Sequence, residues 1–451
     1  MTDPAQLIER VHALWAGRTA ILLVNRYEGA IRALADEVHA SGGRIVAVVA
    51  GGPFDPTQLP GARVWSRAEH GGTLPRREFD RWLRRPPAEL ADWLDTVDPA
   101  REALVLGTSY TDVGEFCGRP LHGWWRPGWQ EWEDKTRIDE LWRSAGVACP
   151  PYAVVDLDDP ALAGHVARLD AGRGVVLAAD ASRSVLGSSK GLRWVRGGPE
   201  ALSEAVSDLV GTTDRVRVAA FMPGVPMSIL ACVLPRGTAV FEPFEIVTLF
   251  DPASGGFVYG GTSTWWRATP TERDRIRADT RRVGEAMRAQ AGYRGIFSVD
   301  GVVGPHGFAA TELNPRHVSG LTLWAGWPQF PMRLFNRAVQ EGEPAVADAD
   351  PDALEAAVCA AIQKHPAMMV KLPYGQATGE PSTVELDVDG EPRRVTHRQV
   401  GGSTQLLDVD PMDRDGAIAP AAAALANLLG APGLVSFRAD PGRKASGSLT
   451  P

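Results

Sequence analysis

Between Gly295 and Arg316 the chain spaces two acids, an amide and a guanidinium so that one hairpin would gather them. Ile296 to Val303 and Phe308 to Leu313 are apolar β-runs, and Gly304-Pro305-His306-Gly307 between them has the composition of a turn. Folding about Pro305 and His306 would set Asp300 almost directly across from Glu312. Side chains alternate faces along a strand, so Glu312 and Asn314 share a face. Two carboxylates and an amide oxygen form a hard-oxygen set suited to magnesium, with manganese as a substitute. Two acids this close repel each other unless a cation joins them. Arg316, two residues beyond Asn314, carries a planar fork suited to a phosphate or a developing oxyanion. The alternative is a surface hairpin with two solvated acids.

The elements that would hold this hairpin are well signposted. Thr269, Pro270 and Glu272 predict a capping box with proline at the first helical position. Ile276, Val283 and Met287 mark one apolar helical face, and Gly292 supplies a stop. Near the N-terminus, Thr19 to Asn25 predicts a strand, followed by a helix to about Ala40 and a break at Gly42-Gly43. Arg44 to Ala50 and Glu102 to Gly107 predict further strands, and this alternation implies a small parallel α/β domain. Its glycines form no GxGxxG, so a Rossmann dinucleotide site is unsupported. Trp124, Trp125, Trp129 and Trp132 then crowd a segment read as a packed interdomain connection in preference to a stacking wall for substrate. Strands and turns dominate from about residue 151 to 340. Beyond them, a helix from Asp352 to Gln363 and a hairpin turning at Asp389-Gly390 suggest a small α+β unit. The expected division is an N-terminal α/β domain over 1–128, a nucleotide and metal domain over 129–345, and a small α+β domain over 346–451.

Composition narrows the classes of function. The 451 residues, 44% hydrophobic and 23% charged, suit a globular protein of two or three domains. A net charge of −8 leaves no basic excess for nucleic acid. No segment has the apolar length of a membrane span or a signal peptide, so no membrane partner is expected and a cytoplasmic location is. Pro420 to Leu429, Ala-rich and closed by Gly430, reads as a helix packed at a domain surface. Cys117, Cys149, Cys232 and Cys359 lie far apart without a CxxC pair, which fits reduced thiols. Only five of the 47 basic residues are lysines, which draws attention to Lys135 and Lys190.

Phe297-Ser-Val-Asp-Gly through Thr311-Glu-Leu-Asn-Pro-Arg316 resembles the C-terminal signature of the ATP-grasp superfamily, an Asp, a hairpin and then Glu-x-Asn-x-Arg. Other landmarks resemble the superfamily in the expected order over roughly residues 130–340. Asp134-Lys135, a helix and Gly146-Val-Ala-Cys-Pro150 resemble the start of the grasp domain. Gly187-Ser188-Ser189-Lys190-Gly191 resembles the glycine-rich loop that closes over phosphates, and Phe221-Met222-Pro-Gly224 through Ser228 resembles the hinge beside the adenine. Glu245-Ile246 lies where the family often has a Glu before the acceptor region. The resemblance implies ATP and magnesium as cofactors, with Asp300, Glu312 and Asn314 holding the metal. It implies that Lys135 and Lys190 balance phosphate charge and that Arg316 faces the transferred phosphoryl group or acyl phosphate. Two departures stand out. The strand Val175-Val-Leu-Ala-Ala179 lacks the lysine many members carry there, and Ala219, Ala220 and Pro226 replace hinge acids.

The implied activity is an ADP-forming carboxylate–amine ligase that works through an acyl phosphate. The layout resembles the pheganomycin-type peptide ligases, which implies an amino-acid-like carboxylate, an amine or peptide acceptor and a setting in antibiotic biosynthesis. Oligomeric state is not written in the sequence, and a homodimer is compatible with it. Three alternatives stay open: a catalytically silent nucleotide-binding module, a grasp enzyme with a non-carboxylate acceptor, and a serine hydrolase using Ser189 of a literal GxSxG. The last requires a strand just before the motif and a helix just after it, whereas here a loop precedes it and the strand-like Leu192-Arg-Trp-Val195 follows, which is the wrong context. His317 is more simply a packed or phosphate-neighbouring residue than a general base, and His306 a solvated turn residue. Of Trp265 and Trp266, beside Arg267, at most one can face an acceptor pocket.

Overall fold

The computed structural model describes residues 4–25, 29–69, 72–74, 76–180, 189–318, 320, 330–375, 379–410, 418–431 and 433–436. After a first helix (α1, Pro4–Trp15), the N-terminal domain places β1 (Thr19–Val24), β2 (Arg44–Ala50), β3 (Arg63–Ser66) and β4 (Leu104–Leu106) in the order β3-β2-β1-β4. Every pairing in this sheet is parallel, as the strand–helix alternation predicts. The helix α2 (Ala30–Ala40) links β1 to β2 and buries Ile31, Leu34, Ala35 and Val38.

The tryptophan-rich segment is a packed connection. Trp124 lies against the N-terminal core, whereas Trp125 and Trp129 are buried in the core of the next domain. Trp129 meets Tyr293 edge-on at 4.8 Å, and its indole N–H donates to the Ala291 carbonyl at 3.2 Å.

A second sheet dominates the rest of the molecule. Its elements, after α3 (Asp139–Ala145), are β5 (Tyr152–Asp156), β6 (Val175–Ala179), β7 (Leu192–Val195), β8 (Arg215–Ala220), β9 (Val225–Leu234), β10 (Gly237–Asp251) and β11 (Gly256–Ser263). They are followed by β12 (Gly295–Gly304), β13 (Gly307–Asn314), β14 (Met368–Leu372), β15 (Ser382–Val388), β16 (Glu391–Val400) and β17 (Ser403–Asp410). The main path runs β13-β12-β9-β10-β11-β14-β17-β16-β15, and β5, β6, β7 and β8 form a side branch. The strands beyond residue 346 thus join the same sheet edge to edge through the β11–β14 pairing. Gly261 permits that junction: its φ is +128°, and a Cβ there would come within 2.0 Å of the Met369 carbonyl oxygen.

The signposted helix is present as α5 (Pro270–Ala291), with both arms of the Thr269–Glu272 capping box made and Ile276, Val283 and Met287 buried. It lies across β9 and β10, on the face behind the hairpin. The late hairpin turns at Asp389-Gly390, whose φ angles of 55° and 89° suit a two-residue type I′ turn. After α6 (Met332–Glu341) and α7 (Pro351–Lys364), the Ala-rich segment forms α8 (Ile418–Leu428). Its expected surface position is corrected: Ala421, Ala422, Leu425 and Ala426 are fully buried in the core beneath β14 and β16. Small side chains let this helix approach the sheet closely enough to be covered on several sides. Among the described residues no helix is long and apolar enough to cross a membrane. The four cysteines are unpaired thiols.

Candidate functional site

The hairpin has the register that its sequence predicts. Asp300 pairs with Glu312, Ser298 with Asn314 and Gly304 with Gly307, and a bulge follows Asp300. The turn leaves His306 exposed. Asp300 accepts from the Ser228 hydroxyl at 2.6 Å on Oδ1 and from the Asn314 amide at 3.1 Å on Oδ2. Burial first, and then the neighbouring Glu312 carboxylate, push Asp300 up to about 7. That strain between two acids is what a divalent cation would relieve. Among the described residues no group of three His, Cys, Asp or Glu side chains is placed to hold a metal, so Asn314 would have to complete this set with phosphate or water oxygens. The Asn314 amide oxygen, expected to face the metal, instead accepts from Arg316 Nη2 at 3.0 Å. The amide must turn over to join the acids, and the donor set then fits magnesium.

Lys135 Nζ is 3.0 Å from Glu312 Oε2 and mostly shielded. It therefore lies at the carboxylates themselves. Arg316, 7% exposed, is held bidentately by Glu133 at 3.0 and 2.6 Å, and its guanidinium carbon lies 3.9 Å from the Tyr110 ring centroid. Clamped on one edge and stacked on one face, the fork is fixed before any substrate arrives. Glu133 and Tyr110 carry no signal in the sequence, since their role depends on three distant segments meeting.

All these groups line one cleft of about 1360 Å³. Ser189, Lys190, Phe221 and Met222 line it too, and Phe221 stacks on Trp194 at 3.9 Å. Gly191 follows, just before β7. Gly187 and Ser188 lie outside the described residues. Apolar side chains from four strands, Val176, Ala178, Ala219, Ile246 and Phe257 among them, form a flat-walled slot in the same cleft. Into that slot β8 brings Arg217, which the sequence did not single out. It pairs in register with Ala178, so a buried cation lies beside the strand that lacks a lysine. Asp139 grips its Nε and Nη2 at 2.7 Å each, and the side chain lines the cleft. Ala220 and Pro226 also line the cleft, Glu245 is fully buried behind it, and Ile246 faces it.

Two further readings of the sequence are answered here. Neither Trp265 nor Trp266 lines the cleft: Trp266 packs behind the hairpin with Ile276 and Val299, and Trp265 packs toward the core of α8. Ser189 does not occupy a nucleophile elbow, because strand β7 begins at Leu192 where a helix would be required.

No family model and no curated protein matches the sequence. Solved structures do match its shape. The biotin carboxylase domain of Hydrogenobacter thermophilus 2-oxoglutarate carboxylase, crystallised with MgADP and bicarbonate, superposes with a TM-score of 0.56 at 13% identity, covering 86% of this chain and 85% of that one. N5-carboxyaminoimidazole synthase from Aspergillus clavatus, in complex with ADP and 5-aminoimidazole ribonucleotide, gives 0.55 at 13% identity over 90% and 98%. Biotin carboxylase from Campylobacter jejuni gives 0.55 at 13% identity over 88% of each chain. These neighbours are ATP-grasp enzymes, and the likeness covers 86–90% of this chain. The protein has a multidomain ATP-grasp fold, with its N-terminal α/β domain, its large antiparallel sheet and its C-terminal α+β region.

Proposed function

We propose that this chain is an ATP-dependent, ADP-forming carboxylate–amine ligase. The observation that carries it is the convergence of Asp300, Glu312, Asn314, Lys135 and Arg316 in one cleft that also offers an apolar slot. In this account the adenine enters the slot beside Phe221 and Met222, with Arg217 donating from Nη1. Lys135, Lys190 and the 187–191 loop meet the phosphates. Asp300, Glu312 and Asn314 hold magnesium, which neutralises charge on the phosphates during transfer. The substrate carboxylate attacks the γ-phosphorus, ADP leaves, and an acyl phosphate forms. An amine then adds to the acyl carbon, loses a proton and displaces phosphate. Arg316, already held by Glu133 and Tyr110, stabilises the oxyanion at each stage without reorganising.

Within this class we infer a peptide ligase of the pheganomycin type, joining an amino-acid-like carboxylate to an amino-acid or peptide amine, in a setting such as antibiotic biosynthesis. The support is the domain layout, the tryptophan-rich connection and the scarcity of lysine. A second possibility is a silent nucleotide-binding module. It is favoured by the fact that Lys135 and Arg316 are already neutralised by Glu312 and Glu133.

ADP formation across a panel of amino acids and short peptides, with mass spectrometry of the product, separates these. The ligase forms ADP only when an acid and an amine are both present, and the product is their amide. Tight ATP binding with no ADP across the panel would establish the silent module instead.

A further inference from the structure

Where the cleft meets the N-terminal domain it is lined by Ala30 and Ala33 of α2, by His317 on the chain leaving the hairpin, and by Arg333 near the start of α6. His317 is only 8% exposed, it lines the cleft, and no hydrogen bond ties its ring to the described residues, while neither ring nitrogen is a buried atom left without a partner. A ring placed this way can still donate to a group that enters the cleft.

Among the described residues the charge around this ring is unbalanced. Arg316 is answered by Glu133, and Arg333 by Glu37 at 2.7 Å. Arg337, 2% exposed, has among the described residues only carbonyl partners, Gly107 at 2.6 Å and Arg333 at 3.4 Å, and its Nε has none. Nearby Glu341 is engaged by the Gly123 N–H and by Arg126. Glu78 and Arg81, of opposite charge, both line the cleft. Burial, and then the charges of Arg337, Arg333 and Arg316, hold the His317 imidazole well below its usual range, so the ring is neutral. The start of α2 adds positive potential, because its Gly29 cap offers no side-chain acceptor and its first turn has no acid. Arg333 spends Nη1 on Glu37 and leaves Nη2 open.

We propose that this floor is a subsite for an anionic group of the substrate, a carboxylate or a phosphate remote from the reacting carboxylate, seated between His317, Arg333 and the start of α2. The acid substrate is therefore doubly anionic, a diacid or a phosphorylated acid. Its placement relative to the reacting carboxylate rests on the ligase function proposed above.

Calorimetric titration of the full chain with glutarate, 4-phosphonobutyrate and butyrate tests this without turnover. One of the two dianions binds about tenfold or more tightly than butyrate, and the better of them identifies the anion. His317→Leu removes most of that preference, and His317→Asn, which keeps a donor, retains part of it. Equal binding of all three by the unmodified protein, or an undiminished preference in both variants, overturns the subsite. MgATP affinity of the unmodified protein is measured alongside. Its absence would sink the ligase proposal while leaving the anion result to stand or fall alone.

Discussion

Arg316 shows how a single side chain is committed before chemistry begins. Its guanidinium is clamped by Glu133 and stacked on Tyr110. Lysine keeps the charge but neither the fork nor the stack. Arg316→Lys should cost about 2–4 kcal/mol in urea unfolding, because Glu133 stays buried with a poorer partner, and should reduce ADP formation by about 10²-fold or more. Unchanged stability would show that the clamp is decorative. Glu312→Gln should likewise lower ADP formation at least about 10²-fold, since it would remove a proposed metal ligand and removes the charged partner of Lys135. Near-normal turnover in that variant would refute the metal assignment. At this scale the sequence was legible where chemistry is local: Asp300, Glu312 and Asn314 are close along one hairpin, and their register followed from alternation alone. Glu133 and Arg217 were not legible, since each matters only through a partner brought by the fold from a distant segment.

The elements carry the hairpin through ordinary devices. The capping box at the head of α5 fixes where that helix starts, and α5 packs behind the strands that bear Ser228 and Glu312. Thr269→Ala should lower stability by about 1 kcal/mol in thermal or urea unfolding, and an effect below a few tenths would mean that Pro270 alone sets the helix start. Gly261 is a sharper case, because the β11–β14 junction has no room for a methyl group. Gly261→Ala should destabilise by about 1–3 kcal/mol, and a neutral result would show that the junction yields. Caps, breaks and the Asp389-Gly390 turn were readable because each is dictated by a few adjacent residues. The burial of α8 was not, since an Ala-rich helix gives no face-by-face contrast from which to judge how many sides are covered.

For the whole molecule, the cleft is a joint product of the N-terminal domain and the large sheet, and its floor is rich in cations. That arrangement has a pH signature. His317 is held below the usual 6.5 in the folded state, so below that pH the unfolded chain takes up a proton that the folded chain refuses. Its contribution to stability is therefore present above pH 6.5 and is lost as pH falls from there toward the folded value. His317→Asn should flatten the stability difference between pH 7.5 and pH 5.5 relative to the unmodified protein. Parallel slopes for the two would mean that the ring is not held neutral. The sequence showed the parallel N-terminal domain and the hairpin that lines the cleft. It did not show one sheet running on through residues 346–410, because strand partners across such distances leave no mark in local pattern.

The most direct measurement is a crystal structure of the protein with magnesium and a nonhydrolysable ATP analogue. The account predicts a metal about 2.0–2.1 Å from oxygens of Asp300 and Glu312, the triphosphate reaching Lys135, and the base against Phe221. A nucleotide bound elsewhere, with those two carboxylates touching no metal, would contradict it.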